Sequence, residues 1–464
     1  MTKKKGIHFE VSERKILLRL LDLVAIFAGL YTLSIYFDFE YLDINADNSV
    51  ALILLGVYIS IFGTIFEIYD LQKASRIDTT FRNIVITASI VVLFYLLTPV
   101  LSPYLPEERI QIVYFYITII FSILLWRVLY INLIESPRFY KRVLLVAEVS
   151  NIDGLVKSLA TADSNYKIVG FINSEASTSE SVKFKGLKEF DHKDFLEIIE
   201  KERISEVLVA SFNTEAILAE VYHDLMLLLE GGFKIRDYSQ VYEELLFRVP
   251  IQFVGKDFYK YFPFSRSNEN KLYIFFQRGF EIISSIVGLI FGALLIPFVL
   301  IGNLIGNKGP LFYSQERVGK NSKLFKILKL RTMIVNAEKD GVTWAKKNDI
   351  RITAFGKFLR RSRLDEIPQF YNVLKGDMGI IGPRPERPFF VHELSRIIPF
   401  YETRHIIKPG LTGWAQVKTR YGSSIDDSLT KLQYDLFYIK HRSIFLDFNI
   451  FIKTMSTILF YRGQ

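Results

Sequence analysis

Four apolar runs in the first third of the chain limit its fold more than any other feature. Ile16 to Phe37, Val50 to Tyr69, Ile84 to Leu101 and Ile110 to Ile134 each approach or exceed the roughly 20 residues that cross about 30 Å of hydrocarbon as a helix. The expectation is a four-helix transmembrane bundle over residues 1–137. The first run is too long for a signal-peptide core and has no small-residue cleavage site, so it reads as retained. Acidic loops (Asp38, Glu40, Asp43 and Asp47; Glu107 and Glu108) alternate with basic ones (Lys3 to Lys5; Lys73, Arg76 and Arg82; Arg138, Lys141 and Arg142). The positive-inside bias then places both ends of the bundle in the cytoplasm. Arg19, Asp22, Glu67 and Arg127 lie near the cytoplasmic helix ends, where pairing or snorkelling is expected rather than an ion relay.

Composition supports a membrane protein with polar domains. Half of the residues are apolar, and the net charge is +9. That charge suits lipid head groups or phosphorylated substrates, and the membrane segments make these the expected partners rather than nucleic acid. The chain has no Cys, which excludes disulfides and thiolate metal sites.

From residue 138 to 264 the pattern shortens. Arg142 to Ala147, Lys167 to Ile172, Glu206 to Ala210 and Phe233 to Arg236 read as buried strands, with helices over Asp191 to Arg203 and Thr214 to Glu230. This alternation predicts a small parallel α/β domain. Its first strand-to-helix turn, Ala147-Glu148-Val149-Ser150-Asn151, has no glycine to let a backbone approach a pyrophosphate. A regulatory or dimerising role is therefore expected rather than dinucleotide binding. An aromatic, basic connector, Phe253 to Arg266, is expected to follow the membrane surface.

Residues 265–464 form the third expected domain. Its apolar run, Ile282 to Ile301, lies between Lys271 and Arg278 on one side and Lys308, Arg317 and Lys320 on the other. A full crossing would strand one basic cluster outside. Pro297 removes a backbone donor and is expected to kink the helix, and the first half, at 1.5 Å per residue, reaches only about 22 Å. A re-entrant helix over residues 280–305, breaking at Pro297, satisfies both constraints; the competing reading is a kinked full span. Further on, Leu311 to Glu316 and Lys323 to Arg331 predict a hairpin, and Ile444 to Phe460 predicts an interfacial amphipathic helix.

The chemistry concentrates at Asp365 and Glu366, which stand among Arg351, Lys357, Arg360, Arg361, Arg363, Lys375, Arg384 and Arg387. Adjacent carboxylates diverge on a strand and lie about 100° apart on a helix, so they do not face each other across a cleft. A division of roles fits better: one carboxylate attacks phosphorus or positions a group, and the other holds Mg²⁺. Arg360, Arg361 and Arg384 are the candidate phosphate cations. Gly382-Pro-Arg-Pro385 is a rigid turn that pre-positions Arg384. Pro409-Gly-Leu-Thr-Gly413 is a second glycine-punctuated loop, able to bring backbone donors and Thr412 to a ligand.

Gln315-Glu-Arg-Val-Gly319, Lys329-Leu-Arg-Thr-Met333, Leu364-Asp-Glu-Ile-Pro-Gln369, Asn372-Val-Leu-Lys-Gly-Asp377, Gly382-Pro-Arg-Pro385, Pro409-Gly-Leu-Thr-Gly-Trp414 and Tyr434-Asp-Leu-Phe-Tyr438 occur in an order that resembles the bacterial sugar transferase family. These are the polyprenyl-phosphate hexose-1-phosphate transferases, or monotopic phosphoglycosyl transferases. The four helices and α/β domain are similar to the family's long form, with an α-rich monotopic catalytic domain. The resemblance implies transfer of a sugar 1-phosphate from a UDP-sugar to undecaprenyl phosphate, with release of UMP, at the start of exopolysaccharide, capsule or O-antigen synthesis. It implies that Asp365 is the nucleophile and that Glu366 binds Mg²⁺ or activates the acceptor. It also implies phosphate or nucleotide contacts from Arg384, Arg360 and Lys329; Arg331 is a further cation that the expected hairpin could present to a ligand. A homodimer through the α/β domain is a further implication. Arg363 departs from the small hydroxyl residue usual before the Leu-Asp-Glu sequence. The alternatives are an ordinary glycosyltransferase releasing UDP and a non-catalytic scaffold or regulator of polysaccharide assembly.

Overall fold

The computed structural model describes residues 11–37, 39, 41–42, 44–45, 47–69, 77–133, 140–148, 152–162, 166–174, 187–210, 217–251, 270–337, 349–419 and 424–459. Lys3 to Lys5, Asp38, Glu40, Asp43, Lys73, Arg76, Arg138, the Val149 to Asn151 turn and the Phe253 to Arg266 connector lie outside them. The chain divides into two units, Met1–Leu246 and Phe247–Gln464.

The first unit opens with four apolar helices, α1 (Val11–Tyr36), α2 (Ser49–Ile65), α3 (Ile77–Leu96) and α4 (Ile110–Leu133). Of these, α1 and α4 are long and apolar enough to cross a membrane, whereas α2 and the apolar part of α3 are shorter. The buried face includes Leu18, Ile26, Leu55, Ile84, Phe115 and Ile123, yet Ile16, Leu20, Val24, Ile53 and Phe121 are exposed. Apolar residues on both faces suit a hydrocarbon surrounding. Arg127 and Asp22 form the expected pair at 2.8 Å, fully buried, and Arg127 also donates to Ile68 O at 3.1 Å. Within lipid this ties α1 to α4 without leaving a lone charge.

The same unit continues into β1 (Lys141–Ala147), α5 (Ile152–Ala162), β2 (Tyr166–Asn173), β3 (Lys188–Phe190), α6 (Phe195–Lys201), β4 (Glu206–Ala210), α7 (Ala219–Glu230), β5 (Ile235–Asp237) and α8 (Tyr238–Leu246). The sheet is wholly parallel in the order β3-β2-β1-β4-β5. Val143 to Ala147 are all buried because helices cover both faces. The parallel α/β expectation holds. The sequence pattern sets no bounds for strand β3 or helices α5 and α8, because β3 is only three residues long and both helices are short.

The second unit begins with α9 (Lys271–Gly306), capped by Asn270, whose Oδ1 accepts from Leu272 N and Tyr273 N. Its 36 residues give about 54 Å of helix. Pro297 lies inside this single element rather than between two helices. The hairpin follows as β6 (Phe312–Val318) and β7 (Leu324–Leu330), antiparallel, closed by a turn in which Asn321 and Ser322 have φ of 54° and 58°. Then come α10 (Ala354–Arg361), α11 (Gln369–Lys375), β8 (Gly379–Ile381), α12 (Pro388–Ile397), β9 (Gly410–Thr412), α13 (Trp414–Lys418), α14 (Ile425–His441) and α15 (Ile444–Leu459).

Two of these helices are inverted relative to a soluble protein. Along α9, Glu281, Ser285 and Asn303 are buried while Phe275, Ile283, Val287, Leu294, Phe298 and Ile305 are exposed. Along α15, Asp447 accepts from Tyr438 Oη at 2.7 Å and from Tyr273 Oη, while Phe445 and Phe448 face outward. The polar residues that mark Ile444 to Phe460 as amphipathic therefore turn toward protein. Exposed apolar area on this scale marks a lipid-facing surface, and the fold is that of a membrane protein of mixed α and α/β class.

Candidate active site

The carboxylate pair sits where α10 ends. Thr353 caps α10 through Gly356 N at 2.9 Å. Gly356 lies so close to Thr332 that a Cβ would meet its carbonyl oxygen at 2.0 Å. The helix stops at Ser362, and Arg363 takes a left-handed φ of 59°. This reversal starts a 3₁₀ turn, Leu364–Glu366, that places Asp365 in a buried position.

Three cations converge on one oxygen of Glu366. Arg384 Nη2 lies 3.2 Å, Arg363 Nη1 3.4 Å and Lys329 Nζ 3.7 Å from Glu366 Oε1. Burial alone would raise the Glu366 pKa, but Arg384, Lys329 and Arg363 together outweigh it and hold the group down at about 2. Asp365 behaves oppositely. Burial, then the adjacent Glu366 charge, push it up to about 6, and Lys329, Arg360 and Arg363 pull it only part of the way back. Its Oδ1 is buried with no hydrogen-bond partner. A buried carboxylate oxygen without a partner is costly, and a ligand atom would relieve it. The cations thus favour the charged form of Glu366, while the open Oδ1 of Asp365 is available for chemistry.

The surrounding elements hold these cations in place. Asn372 on α11 accepts from Leu328 N at 3.0 Å and donates to Lys326 O at 2.8 Å, fixing β7 and so Lys329. The Gly382-Pro-Arg-Pro385 turn and the residue after it are held at four consecutive carbonyls. Pro383 O accepts from Gly410 N (2.9 Å), Arg384 O from Arg404 Nη2 (3.2 Å), Pro385 O from Arg317 Nη1 (3.2 Å) and Glu386 O from Val318 N (3.0 Å). Behind it, Arg404 is fully buried against Asp435 at 2.7 Å and Tyr401 at 2.6 Å. Arg384 therefore projects from a backbone with little freedom.

Of the residues the sequence nominated, Asp365, Glu366, Lys329 and Arg384 come together. Arg360 joins them electrostatically and donates through Nε to Thr332 Oγ1 at 2.8 Å. Arg361 is exposed on the last turn of α10. Two others are engaged with the protein itself. Arg331 is buried, and its donors go to Pro310 O, Met333 O and both oxygens of Asn307, bonds that brace the entry to α10. Thr412 Oγ1 bonds Thr454 Oγ1 at 2.7 Å, so its hydroxyl ties β9 to α15. The Pro409 to Gly413 loop likewise packs on the Pro-Arg-Pro turn. A Cβ on Gly410 would meet Gly382 N at 2.1 Å, and one on Gly413 would meet Gly382 O at 2.1 Å. Its glycines allow two backbones to touch, and no ligand is needed to explain them. Arg351 is committed to Asp349, at 2.6 Å.

Arg363, Arg317, Arg404 and Asp435 were not nominated. Arg363 and Arg317 were visible only as members of charged motifs, and Asp435 only as part of Tyr434 to Tyr438. Which cations share one oxygen depends on the hairpin folding onto α11, and local spacing does not record that.

Among the described residues no cluster of three or more His, Cys, Asp or Glu side chains could hold a metal. Mg²⁺ commonly takes only one or two carboxylates, with phosphate and water completing its shell. The unpartnered Oδ1 of Asp365 beside Glu366 fits that smaller donor set.

A family model described as bacterial sugar transferase matches residues 272–461. The UDP-N-acetylgalactosamine-undecaprenyl-phosphate N-acetylgalactosaminephosphotransferase of Aeromonas hydrophila is 44% identical over 189 residues, covering 40% of this chain and 44% of that one. The UDP-glucose:undecaprenyl-phosphate glucose-1-phosphate transferase of Xanthomonas campestris pv. campestris is 42% identical over 165 residues, covering 35% and 34%. A shorter Bacillus subtilis (strain 168) relative is 45% identical over 144 residues, 30% of this chain and 79% of its own length. The matched part thus spans less than half of the Aeromonas and Xanthomonas proteins.

Proposed function

The chain belongs to the bacterial sugar transferase family, and from that premise we propose that it transfers a sugar 1-phosphate from a UDP-sugar to undecaprenyl phosphate, releasing UMP. The observation that carries this reading is the buried, unpartnered Asp365 oxygen beside a Glu366 held by three cations. A carboxylate in that setting suits attack at phosphorus, where the cations can stabilise charge on the transferred group.

In the proposed first step a carboxylate oxygen of Asp365 attacks the sugar-bearing phosphorus. The bond from that phosphorus to the bridging oxygen breaks, UMP leaves with the bond pair, and a sugar-phosphoryl aspartate remains. In the second step an oxygen of undecaprenyl phosphate attacks the same phosphorus, the acyl phosphate bond breaks, and Asp365 returns as carboxylate. Glu366 fixes Lys329, Arg363 and Arg384 around the reacting phosphate through both steps. Mg²⁺, held by Asp365 and Glu366 with the substrate phosphates, would supply further neutralisation of phosphate charge.

We read α9 as the re-entrant segment and α1 to α4 as four membrane helices, with the site on the cytoplasmic face. Packing along both halves of α9 supports this. Near its start Arg278 donates to Val373 O and Leu374 O, each at 2.7 Å. A Cβ on Gly288 would meet the Phe370 ring and one on Gly302 the Phe355 ring, so the helix lies against the rest of the second unit on either side of Pro297 instead of leaving it. Labelling of Lys320 from the outer face of intact cells would sink this placement.

The deciding experiment incubates purified protein with undecaprenyl phosphate, Mg²⁺ and a panel of UDP-sugars. UMP release by wild type, lost by a factor of at least about 10³ in Asp365→Asn, is the expected result. Release of UDP, or an active Asp365→Asn enzyme, would reject the proposal.

A further inference from the structure

Among the described residues, Lys329, Arg317, Arg360, Arg363, Arg384 and Arg387 gather around Asp365, Glu366 and Glu386. Cations this close in a partly buried site repel one another, and a bound anion would offset that repulsion. Arg317 is the member whose position the carboxylate pair does not explain. It stands on β6, and its nearest carboxylate is Glu386, at 4.0 Å. Arg384 and Arg387 are close enough to repel it, and it in turn repels Lys329.

The guanidinium is aimed rather than floating. Nη2 donates to Gln315 Oε1 at 2.7 Å and Nη1 to Pro385 O at 3.2 Å. Nε is buried and has no partner. Burial pushes the group down to about 10 even though Glu386 opposes the shift, and Arg384 and Arg387 add to it. A brace between hairpin and turn needs only the two Nη contacts. It does not account for a buried donor left open beside two other arginines.

We propose that Arg317 is a phosphate ligand for the sugar nucleotide, binding the phosphate that leaves with the nucleoside while Lys329, Arg363 and Arg384 serve the transferred one. This rests on the reaction proposed above. Asp365 feels Lys329, Arg360 and Arg363 among its principal charges, whereas Arg317 acts on Lys329 from farther along the cluster. A diphosphate laid along this row would meet Arg317 with the phosphate remote from Asp365. Arg384, which lies next to both Glu366 and Arg317, would contact either phosphate.

The test uses full-length protein in detergent and compares wild type, Arg317→Gln and Arg317→Lys. Calorimetry with UDP and with inorganic pyrophosphate reads binding, and UMP release reads turnover. Loss of a charge-assisted hydrogen bond predicts about 10- to 100-fold weaker binding of both probes in Arg317→Gln. The KM for the UDP-sugar should rise in parallel, and the KM for undecaprenyl phosphate should stay within about twofold. Arg317→Lys, which keeps the charge but not the planar fork, should fall between. Unchanged probe affinity in either folded variant overturns the assignment, as does a fall in kcat alone. If Arg317→Gln does not fold, Arg317→Lys decides by the same criterion. Wild-type protein that binds pyrophosphate through Arg317 yet releases no UMP would reject the reaction and leave the anion site standing.

Discussion

Two buried arginine–carboxylate assemblies stand side by side in the second unit, and they are built on opposite principles. In one, Arg404 meets Asp435 at 2.7 Å with Tyr401 alongside, one positive charge for one negative. In the other, three cations share a single oxygen of Glu366 and still more cations surround it. Both leave a carboxylate oxygen without a partner, Oδ1 of Asp435 and Oδ1 of Asp365. Only the second gathers several cations on one carboxylate oxygen. The first is a one-to-one ion pair in the folded protein, whereas the crowded cluster gains from a bound anion. The contrast separates the residues that hold the Pro-Arg-Pro turn from those that use it.

Breaking the one-to-one pair should have the larger effect on folding. Arg404→Ala leaves Asp435 as a buried, uncompensated charge and frees the carbonyl of Arg384. The expected loss is about 3–5 kcal/mol of stability, read as a lowered melting temperature in detergent. An Arg404→Ala protein that melts with wild type would erase the distinction between the two assemblies.

Breaking the crowded cluster at Asp365 should do the reverse. Burial and Glu366 disfavour the Asp365 charge, so Asp365→Asn is expected to raise stability at neutral pH by about 1–3 kcal/mol while turnover disappears. The folded protein holds this proton more tightly than the unfolded chain does. The penalty in wild type is therefore absent below the unfolded pKa near 3.8 and grows as pH rises through about 6. The gap in melting temperature between Asp365→Asn and wild type should close as pH falls from 7 toward 4. A gap independent of pH would assign the stabilisation to something other than this carboxylate.

Turnover supplies the next, smaller effect. Protonation removes the attacking carboxylate, so the rate should fall about tenfold per pH unit below a midpoint near 6. Glu366, held near 2 by its three cations, should add no limb at the pH values where the protein is folded. A single acidic limb sharpens the division between the two carboxylates, and two limbs would blur it.

The sequence exposed the parts of the fold that depend on local pattern. The long apolar runs, every strand of the parallel sheet except β3, and the hairpin are set by residue periodicity; these strands and the hairpin occur within a few residues of their expected places, whereas α3 and α9 begin well before the apolar runs that mark them. The polar residues of Ile444 to Phe460 mark that run as amphipathic, but the pattern does not reveal that Asp447 faces inward, nor that Glu281 and Asn303 do so on α9. Direction requires knowing what packs on each side. The same limit governed the site. Asp365, Glu366 and Arg384 were legible because their motifs pair carboxylates with prolines and arginines. Arg331 looked like another phosphate cation because its neighbours in sequence are basic. Its true partners, Asn307 and Pro310, precede it by more than twenty residues.

Thr412 offers the finest test of that lesson. In sequence it is the hydroxyl of a glycine-rich loop, and in the structure that hydroxyl faces Thr454 on α15. Thr412→Val keeps the shape and removes the bond. Thr454 keeps a second contact, donating to Ile450 O at 2.8 Å, so no buried donor is stranded. The expected cost is about 0.5–1.5 kcal/mol of stability, with the KM for the UDP-sugar and kcat unchanged. A raised KM with unaltered melting would return Thr412 to the binding site and would mean that the Pro409 to Gly413 loop turns toward the ligand during turnover.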